Sequence, residues 1–278
     1  MQRIFVGDVQ GCADELGDLV ARARAAFGGE FELWLVGDLV NRGPANLRVL
    51  EMVRALADGG RARFVLGNHE LALLRVAAGL RKLRPGDTVR DVLEAGGDWI
   101  AWLRAQPLLV AGRLGTERFA MVHASLPPGA ELDALSARTE RIAARLAESR
   151  KAAARLLAAD LHEDEDADLL ARLTRCRSID ARGRWSSREP SRPDDAWHAR
   201  WLAGSPHYGV VYGHWSTQRL HVASGLRGLD TGCVYNGAWG DGVLTAWLPA
   251  PDAARPFAVP DDHFWQIAAR ARYWHEEE

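Results

Sequence analysis

The chain has 278 residues, of which 47% are hydrophobic and 26% are charged, a composition typical of folded globular proteins rather than of disordered or membrane-embedded chains. The formal net charge of −2 argues against a broad nucleic-acid-binding face, although it leaves room for a local cluster of arginines around a phosphate. Three cysteines without CxxC spacing, an N-terminus without the pattern of a signal peptide and apolar runs too short to cross a membrane together predict a cytoplasmic protein.

The first half of the chain alternates strand and helix patterns. Three segments, "RIFVGD", "FELWLVGD" and "ARFVLGNHE", each contain an apolar run typical of a strand that ends at polar residues. Each segment is followed by apolar residues at helical spacing. Such an alternation predicts parallel strands joined by right-handed crossovers in one sheet. Ligands of open sheets gather beyond the carboxyl ends of the strands, which is where Asp8, Asp38 and Asn68 lie.

The second half begins with a further predicted strand, "ERFAMVHAS", which carries His123 near its end. The following stretch is rich in Ala, Arg and Leu, and we expect residues 131–200 to form a helical and loop insertion that caps the site. The insertion would belong to a single domain spanning residues 1–278. Strand patterns resume in "YGVVYGHW", "RLHVAS" and "VLTAWLP", whereas the C-terminal "HFWQIAARARYW" predicts a helix.

Five short stretches place polar side chains at the ends of predicted strands. Taken singly, each has an ordinary explanation, such as a turn, a helix cap supplied by Asn68, or a histidine of the core. Taken together, they combine oxygen and nitrogen donors in a mixture that suits Mn²⁺, Fe, Zn²⁺ or Mg²⁺. The residues are Asp8, Gln10, Asp38, Arg42, Asn68, His69, His123 and His214.

The motifs "GDVQG", "GDLVNRG", "GNHE", "VHAS" and "YGHW" resemble, in order, the signature of the phosphoprotein phosphatase or calcineurin-like metallophosphatase superfamily. "LTRCR", "YGHWST" and "LDTGCVYNG" narrow the resemblance to the bacterial symmetrical bis(5′-nucleosyl)-tetraphosphatases. It extends from Ile4 to about Leu248 and is weakest between Glu131 and Arg172. The resemblance implies an α/β (α+β) fold, a β-sandwich of mixed sheets flanked by helices. The strand pattern alone is equally compatible with an open doubly wound sheet.

The resemblance also implies two divalent metal ions, with manganese favoured and magnesium, cobalt, iron or zinc as alternatives. By position, Asp8 and Gln10 would bind the first ion, Asp38 would bridge both ions, and Asn68, His123 and His214 would hold the second. A bridging ligand must offer two oxygens, which a carboxylate can do and an imidazole cannot.

The remaining roles implied by the resemblance concern the substrate, a small dinucleoside polyphosphate such as diadenosine tetraphosphate, cleaved symmetrically to two ADP. Arg42 would bind phosphoryl oxygens through its planar fork, and His69 would act beside the leaving group. Arg175 and Arg177 would face the substrate, with solvated surface arginines as the alternative interpretation. Asp230 is expected to support the site structurally. RNA 5′ ends capped with the same anhydride would be secondary substrates, and the oligomeric state is left open.

Two positions depart from the wider superfamily. Gln10 stands where that superfamily has His, and its neutral amide oxygen predicts a weaker first metal site. Asn41 stands where protein phosphatases carry an Asp that stabilises a protonated histidine. Because the terminal phosphate of a nucleoside diphosphate has a pKa of roughly 6 and leaves without much protonation, Asn41 favours hydrolysis of anhydrides over esters.

Two other functions remain open from the sequence. A serine/threonine protein phosphatase would use the same constellation, and Asn41 counts against it. A non-catalytic nucleotide sensor is the second alternative, because a site with Gln10 could have lost its first metal.

Overall fold

Two five-stranded sheets form the centre of the structure, a computed structural model that describes residues 1–238, 240–258 and 263–274. The first sheet contains β1 (Gln2–Val6), β2 (Phe31–Leu35), β3 (Ala62–Phe64), β11 (Val243–Trp247) and β12 (Phe264–Ala268), in the spatial order β12-β11-β1-β2-β3. The second contains β4 (Leu109–Leu114), β5 (Glu117–Val122), β8 (Gly209–Tyr212), β9 (His221–Ala223) and β10 (Leu226–Gly228), in the order β4-β5-β8-β10-β9. A small hairpin joins β6 (Ser178–Ile179) to β7 (Trp185–Ser186).

The helices connect and cover these strands. They are α1 (Ala13–Phe27), α2 (Asn46–Asp58), α3 (Asn68–Ala77), α4 (Arg90–Ala95), α5 (Gly97–Arg104), α6 (Leu132–Glu148), α7 (Arg150–Ala158), α8 (Glu165–Arg175) and α9 (Trp197–Ala203), with 3₁₀ turns at Pro193–Asp195, Ser216–Gln218 and Cys233–Tyr235. Among the described residues, the helices lack the combination of length and apolar character that crossing a membrane requires.

The predicted strand–helix alternation of the first half is confirmed. β1 pairs in parallel with β2, and β2 pairs in parallel with β3, with α1 and α2 as the crossovers. The apolar side of α1 is buried at the spacing read from the sequence, through Leu16, Leu19, Val20 and Ala23.

Aromatic side chains between the two sheets establish a sandwich. Phe5 and Trp34 of the first sheet lie 5.4 Å and 5.5 Å from Phe119 of the second, measured between ring centroids. Phe5, Trp34, Phe119 and Trp247 are almost completely buried in one apolar cluster to which both sheets contribute. The architecture is therefore the mixed β-sandwich with flanking helices, and the open doubly wound sheet is wrong.

The C-terminal prediction is wrong in a different way. Residues 264–268 form β12, which pairs antiparallel with β11 through Val243↔Ala268 and Trp247↔Phe264, instead of a helix. The ring of Trp265 stacks on Phe27 of α1, with centroids 5.8 Å apart. A short apolar stretch fits either period, and here the free edge of β11 decides in favour of the strand.

The region 131–200 contains α6, α7 and α8 and continues through a loop-rich stretch that contains the β6–β7 hairpin. α6 contacts β4, while α7 and α8 contact α3, the helix that begins at Asn68. Gly67 occupies the position before the first turn of α3, so the interpretation of Asn68 as a mere helix cap is wrong.

Candidate active site

Loops at the strand ends of both sheets bring the predicted ligands together. Asp8 and Asp38 follow β1 and β2, and Asn68 begins the helix after β3. His123 directly follows β5, and His214 lies two residues after β8, so the second sheet contributes both histidines. The site therefore occupies the end of the sandwich where strands of both sheets terminate.

The backbone of these loops is strained. Of the seven described non-glycine residues with positive φ, five belong to the predicted site or adjoin it: Gln10 (47°), Asp38 (50°), Asn41 (77°), Arg42 (69°) and His214 (71°). Each such conformation costs on the order of 1 kcal/mol or more and persists only where surrounding contacts hold it. Concentration of this strain in one place marks a functional site.

Glu70 holds the strained loop that carries Asp38. Its buried carboxylate accepts hydrogen bonds from the backbone N–H groups of Asp38 (2.9 Å), Leu39 (2.8 Å), Val40 (3.3 Å) and Gly67 (2.8 Å). Burial, assisted by the charge of Asp38, raises the pKa of Glu70 to about 7. Glu70 is not among the residues predicted from the sequence, although a Glu three positions after the cap of a helix is the pattern of a capping box.

His123 is oriented as a metal ligand. Its Nδ1 lies 2.9 Å from the carbonyl oxygen of Val36, so we assign the proton to this nitrogen, which leaves Nε2 with a free lone pair. Nε2 lies 3.1 Å from Asn68 Oδ1 and 3.4 Å from Asp38 Oδ2. Donor atoms of Asp38, His123 and His214 all lie within 4.8 Å of one another, which is compatible with a shared cation.

Buried negative charge makes a cation favourable here. Burial, together with Asp230 and Asp38, raises the pKa of Asp8 well above its usual range, and burial likewise raises the pKa of Asp230 to about 6. Asp8 accepts hydrogen bonds from the N–H of His214 through both oxygens at 3.2 Å. Carboxylates crowded in this way disfavour their own ionisation unless a positive charge compensates them. The donors present therefore fit divalent metal ions.

The pKa shifts of Asp38 and His214 agree with this interpretation, whereas burial of His123 is outweighed by the charge and hydrogen bond of Asp38, which raise its pKa. Burial would raise the pKa of Asp38, but the nearby His123 and His69 outweigh it and lower the pKa. Burial, followed by the charges of Arg177 and His123, holds the pKa of His214 well below its usual range. A carboxylate and a neutral imidazole are the forms in which these side chains bind metals.

Gln10 lies beside these donors. Its side chain is buried, and it lines a cavity of about 260 Å³ together with Asp38, Asn68 and His214. Asp230 lines the same cavity.

A second cavity, of about 460 Å³, adjoins the first, because Asn68 and His69 line both. Arg42 and Arg175 line the second cavity and Arg177 the first, so the structure places the two arginines of "LTRCR" on different sides of the site. Arg177 is fixed by donating to the carbonyl oxygens of His214 (3.2 Å) and Ser187 (3.0 Å).

Asn41 is bound to a neighbouring loop. Its Oδ1 accepts from the N–H groups of Arg42 (2.9 Å) and Thr88 (3.0 Å), and its Nδ2 donates to Asp87 (3.0 Å). His69 instead lies beside Asp38. Its ring Nε2 is 3.6 Å from Asp38 Oδ2, and its backbone N–H donates to Asp38 Oδ1 at 2.9 Å. Asn41 thus fixes the loop rather than the protonation of His69.

Comparison with known proteins agrees with the site. Residues 1–219 match the family model described as calcineurin-like phosphoesterase. A Janthinobacterium sp. protein named symmetrical bis(5′-nucleosyl)-tetraphosphatase is 38% identical over 85% of this chain and 90% of its own length. A protein of the same name from Yersinia enterocolitica is 36% identical over 85% of this chain and 86% of its own length. The one from Ralstonia nicotianae is also 36% identical, over 90% of this chain and 90% of its own length.

Solved structures share the fold. A crystal structure provisionally assigned as a diadenosine tetraphosphatase superposes with a TM-score of 0.63 at 23% identity, covering 96% of this chain and 93% of its own. A serine/threonine phosphatase from Saccharomyces cerevisiae gives a TM-score of 0.53 at 14% identity, over 98% of this chain and 80% of that one.

Proposed function

The chain belongs to the calcineurin-like phosphoesterase family, and from that premise we propose that it hydrolyses diadenosine tetraphosphate symmetrically to two molecules of ADP. The observation that carries the proposal is the cluster of Asp38, His123 and His214 donor atoms beside an arginine-lined cavity. The relatives that are 34–38% identical over most of the chain, all named for this activity, support the same substrate.

Two divalent cations fit the donors of the site. We propose Asp8 and Gln10 as ligands of the first, Asp38 as the ligand of both, and Asn68, His123 and His214 as ligands of the second. Such a pair of cations supplies the charge that activates water and neutralises phosphoryl oxygens. Manganese is the favoured metal, because the set mixes imidazole nitrogens with carboxylate and amide oxygens.

The protein's own residues position the substrate. Arg42 follows Asp38 in the loop after β2 and lines the second cavity with Asn68, and its guanidinium can bind two oxygens of one phosphoryl group. His69 lines both cavities, and we propose that the leaving group departs beside it. A departing ADP has a terminal phosphate pKa of roughly 6 and needs little help from an acid. The engagement of Asn41 with Asp87 is compatible with such a leaving group.

A protein phosphatase is the second candidate, since the yeast serine/threonine phosphatase shares the fold. The test is to strip the protein of metal, restore Mn²⁺ or Mg²⁺, and compare its turnover of diadenosine tetraphosphate with that of a phosphoserine peptide. We expect metal-dependent turnover of the nucleotide at least about 100-fold above that of the peptide, about 3 kcal/mol in the barrier. A faster reaction with the peptide would contradict the proposal, and metal-dependent turnover of either substrate would exclude the non-catalytic sensor.

Asn41→Asp tests the origin of this preference. The substitution places a second carboxylate next to Asp87, now 3.0 Å from the amide of Asn41, and restores the charge that protein phosphatases carry. We expect the ratio of nucleotide to peptide turnover to fall. An unchanged ratio and unchanged rates would refute the role assigned to Asn41.

Dinucleotide-polyphosphate caps on RNA carry the same anhydride, and we propose them as secondary substrates. We place the reaction in the cytoplasm, a location that the three free cysteines support. Release of nucleoside diphosphate from a capped RNA oligonucleotide would test the secondary activity.

A further inference from the structure

Positive charge is concentrated in the second cavity, which we call the arginine pocket. Five arginines line it, with Asp87 as the carboxylate of the lining, giving a net formal charge of +4 in about 460 Å³. The five are Arg42, Arg75, Arg81, Arg84 and Arg175. They come from the loop after β2, from α3, from the 81–87 loop and from the end of α8, so the fold assembles them from four separate segments.

The carboxylate of Asp87 is already engaged. It forms an ion pair with Arg81 and accepts from Asn41 Nδ2 (3.0 Å) and from the N–H of Arg84 (2.8 Å). Arg75 donates through Nε to the carbonyl oxygen of Leu157 (3.2 Å), a contact that orients the guanidinium without neutralising it. The charge of the other arginines is therefore not offset by the lining of the pocket.

Two of the arginines that line the pocket each carry a buried donor without a partner among the described residues. In the part of the chain that the structure describes, the buried Nε–H groups of Arg42 and Arg81 lack a hydrogen-bond partner. A buried donor without an acceptor is costly, and a shift of these guanidinium groups toward an anionic oxygen in the pocket would relieve that cost. Burial, followed by the charges of Arg175 and Arg81, lowers the pKa of Arg75, which reflects the mutual repulsion of these cations.

The position of the pocket relates it to the reaction. Asn68 and His69 line both cavities, so the arginine pocket begins where the metal-binding cavity ends. A phosphorus atom attacked at the metal site would have its leaving group on the side of His69, facing the arginines. A leaving ADP carries two further phosphates, and several cations are needed to neutralise them.

We infer that the arginine pocket binds the phosphates of the leaving nucleoside diphosphate, and that Arg75, Arg84 and Arg175 make the enzyme select substrates with a long phosphate chain. The inference rests on the proposed function for its choice of substrate. Its chemistry requires only a linear polyphosphate, which binds the pocket through charge and guanidinium hydrogen bonds.

The test compares Arg75→Ala, Arg84→Ala and the double variant with Arg90→Ala. Arg90 lies on α4 outside the lining of the pocket, with its side chain 73% exposed, and controls for the loss of one positive charge. Two measurements are made on the full chain: calorimetric binding of inorganic tripolyphosphate without added metal, and steady-state hydrolysis of diadenosine tetraphosphate with metal. Thermal unfolding checks that each variant is folded.

We expect the double variant to bind tripolyphosphate at least about tenfold more weakly, and inorganic phosphate with a smaller loss, since each charge-assisted contact is worth about a factor of ten. Its KM for diadenosine tetraphosphate should rise by a similar factor with little change in kcat, because these contacts exist before and during the reaction. Arg90→Ala should behave like the unmodified protein in both assays.

Unchanged tripolyphosphate binding in the double variant would overturn the inference, as would an equal loss in Arg90→Ala or a fall in kcat at constant KM. Weakened tripolyphosphate binding in a protein that fails to hydrolyse the tetraphosphate in any form would support the pocket and refute the proposed function. The two failures are therefore distinguishable.

Discussion

Substitution of Glu70 by Gln removes the support of the loop that carries Asp38 while changing the side-chain volume very little. Each carboxylate oxygen of Glu70 accepts from two backbone N–H groups, Oε2 from Asp38 and Gly67 and Oε1 from Leu39 and Val40. An amide offers one oxygen and turns its NH₂ group toward two donors. Two buried N–H groups then lose their acceptor at about 1–3 kcal/mol each, which gives a loss of roughly 2–6 kcal/mol in the free energy of unfolding.

The loss has two consequences that are measured separately. For a chain of this size it corresponds to a fall in Tm of roughly 4–20 °C. The positive φ of Asp38 (50°) also loses its constraint, so we expect fewer than two metal ions per chain by elemental analysis after reconstitution. Glu70 is a positioning residue, and at saturating metal part of the activity should return.

Glu32→Gln is the matched control. Glu32 is also buried, but it lies on β2 and forms an ion pair with Arg63 at 2.6 Å. Its substitution should cost on the order of 1 kcal/mol or less and leave the metal content unchanged, because half of the Arg63 side chain is exposed to solvent. A Glu70→Gln protein with the Tm and metal content of the unmodified protein would refute the reasoning.

Three further predictions concern the metal site and the stability of the fold. In Gly213→Ala the new Cβ would lie 2.0 Å from Asp8 Oδ1, so we expect the free energy of unfolding measured in urea to fall by about 1–3 kcal/mol and metal binding to weaken. Unchanged stability and unchanged metal binding would contradict the packing described. Gln10→Ala should bind one metal ion per chain instead of two by elemental analysis, and Gln10→His should restore the second; equal stoichiometry in all three proteins would exclude Gln10 as a ligand. Burial, with a smaller contribution from His221, lowers the pKa of His198 from 6.5 to about 4, so the folded protein favours the neutral imidazole. The free energy of unfolding should therefore fall as the pH drops from about 6.5 toward 4, because the unfolded chain takes up the proton first. This fall in the free energy of unfolding should be on the order of 2 kcal/mol after allowance for solvent screening, and urea unfolding of His198→Gln at the same pH values should lack it. An identical pH dependence of the two proteins would contradict the prediction.

The grouping of the site residues was predictable because it follows from local pattern. Asp8, Asp38 and Asn68 each follow a strand of one parallel set, and the carboxyl ends of parallel strands meet at one edge. His123 and His214 were found by the same signal, although they belong to the other sheet. The arrangement of two stacked sheets was not contained in the strand pattern, since buried strands look alike in a sandwich and in an open sheet.

What the sequence did not reveal depends on contacts between distant segments. The stretch 264–268 became a strand because β11 offers it an edge, an interaction that local propensity does not encode. Glu70 carries its role through backbone N–H groups more than 30 residues earlier in the chain, such as that of Asp38. Arg75 and Arg84 look like ordinary surface arginines until the fold places them around one cavity.

The most direct test of the central claim is the identity of the products. Metal-stripped protein is incubated with diadenosine tetraphosphate, with and without added Mn²⁺ or Mg²⁺, and the nucleotides are separated by chromatography. The account predicts ADP as the sole product, formed only when metal is added. AMP together with ATP would contradict the symmetric cut, and failure to turn over with any metal would contradict the hydrolase itself.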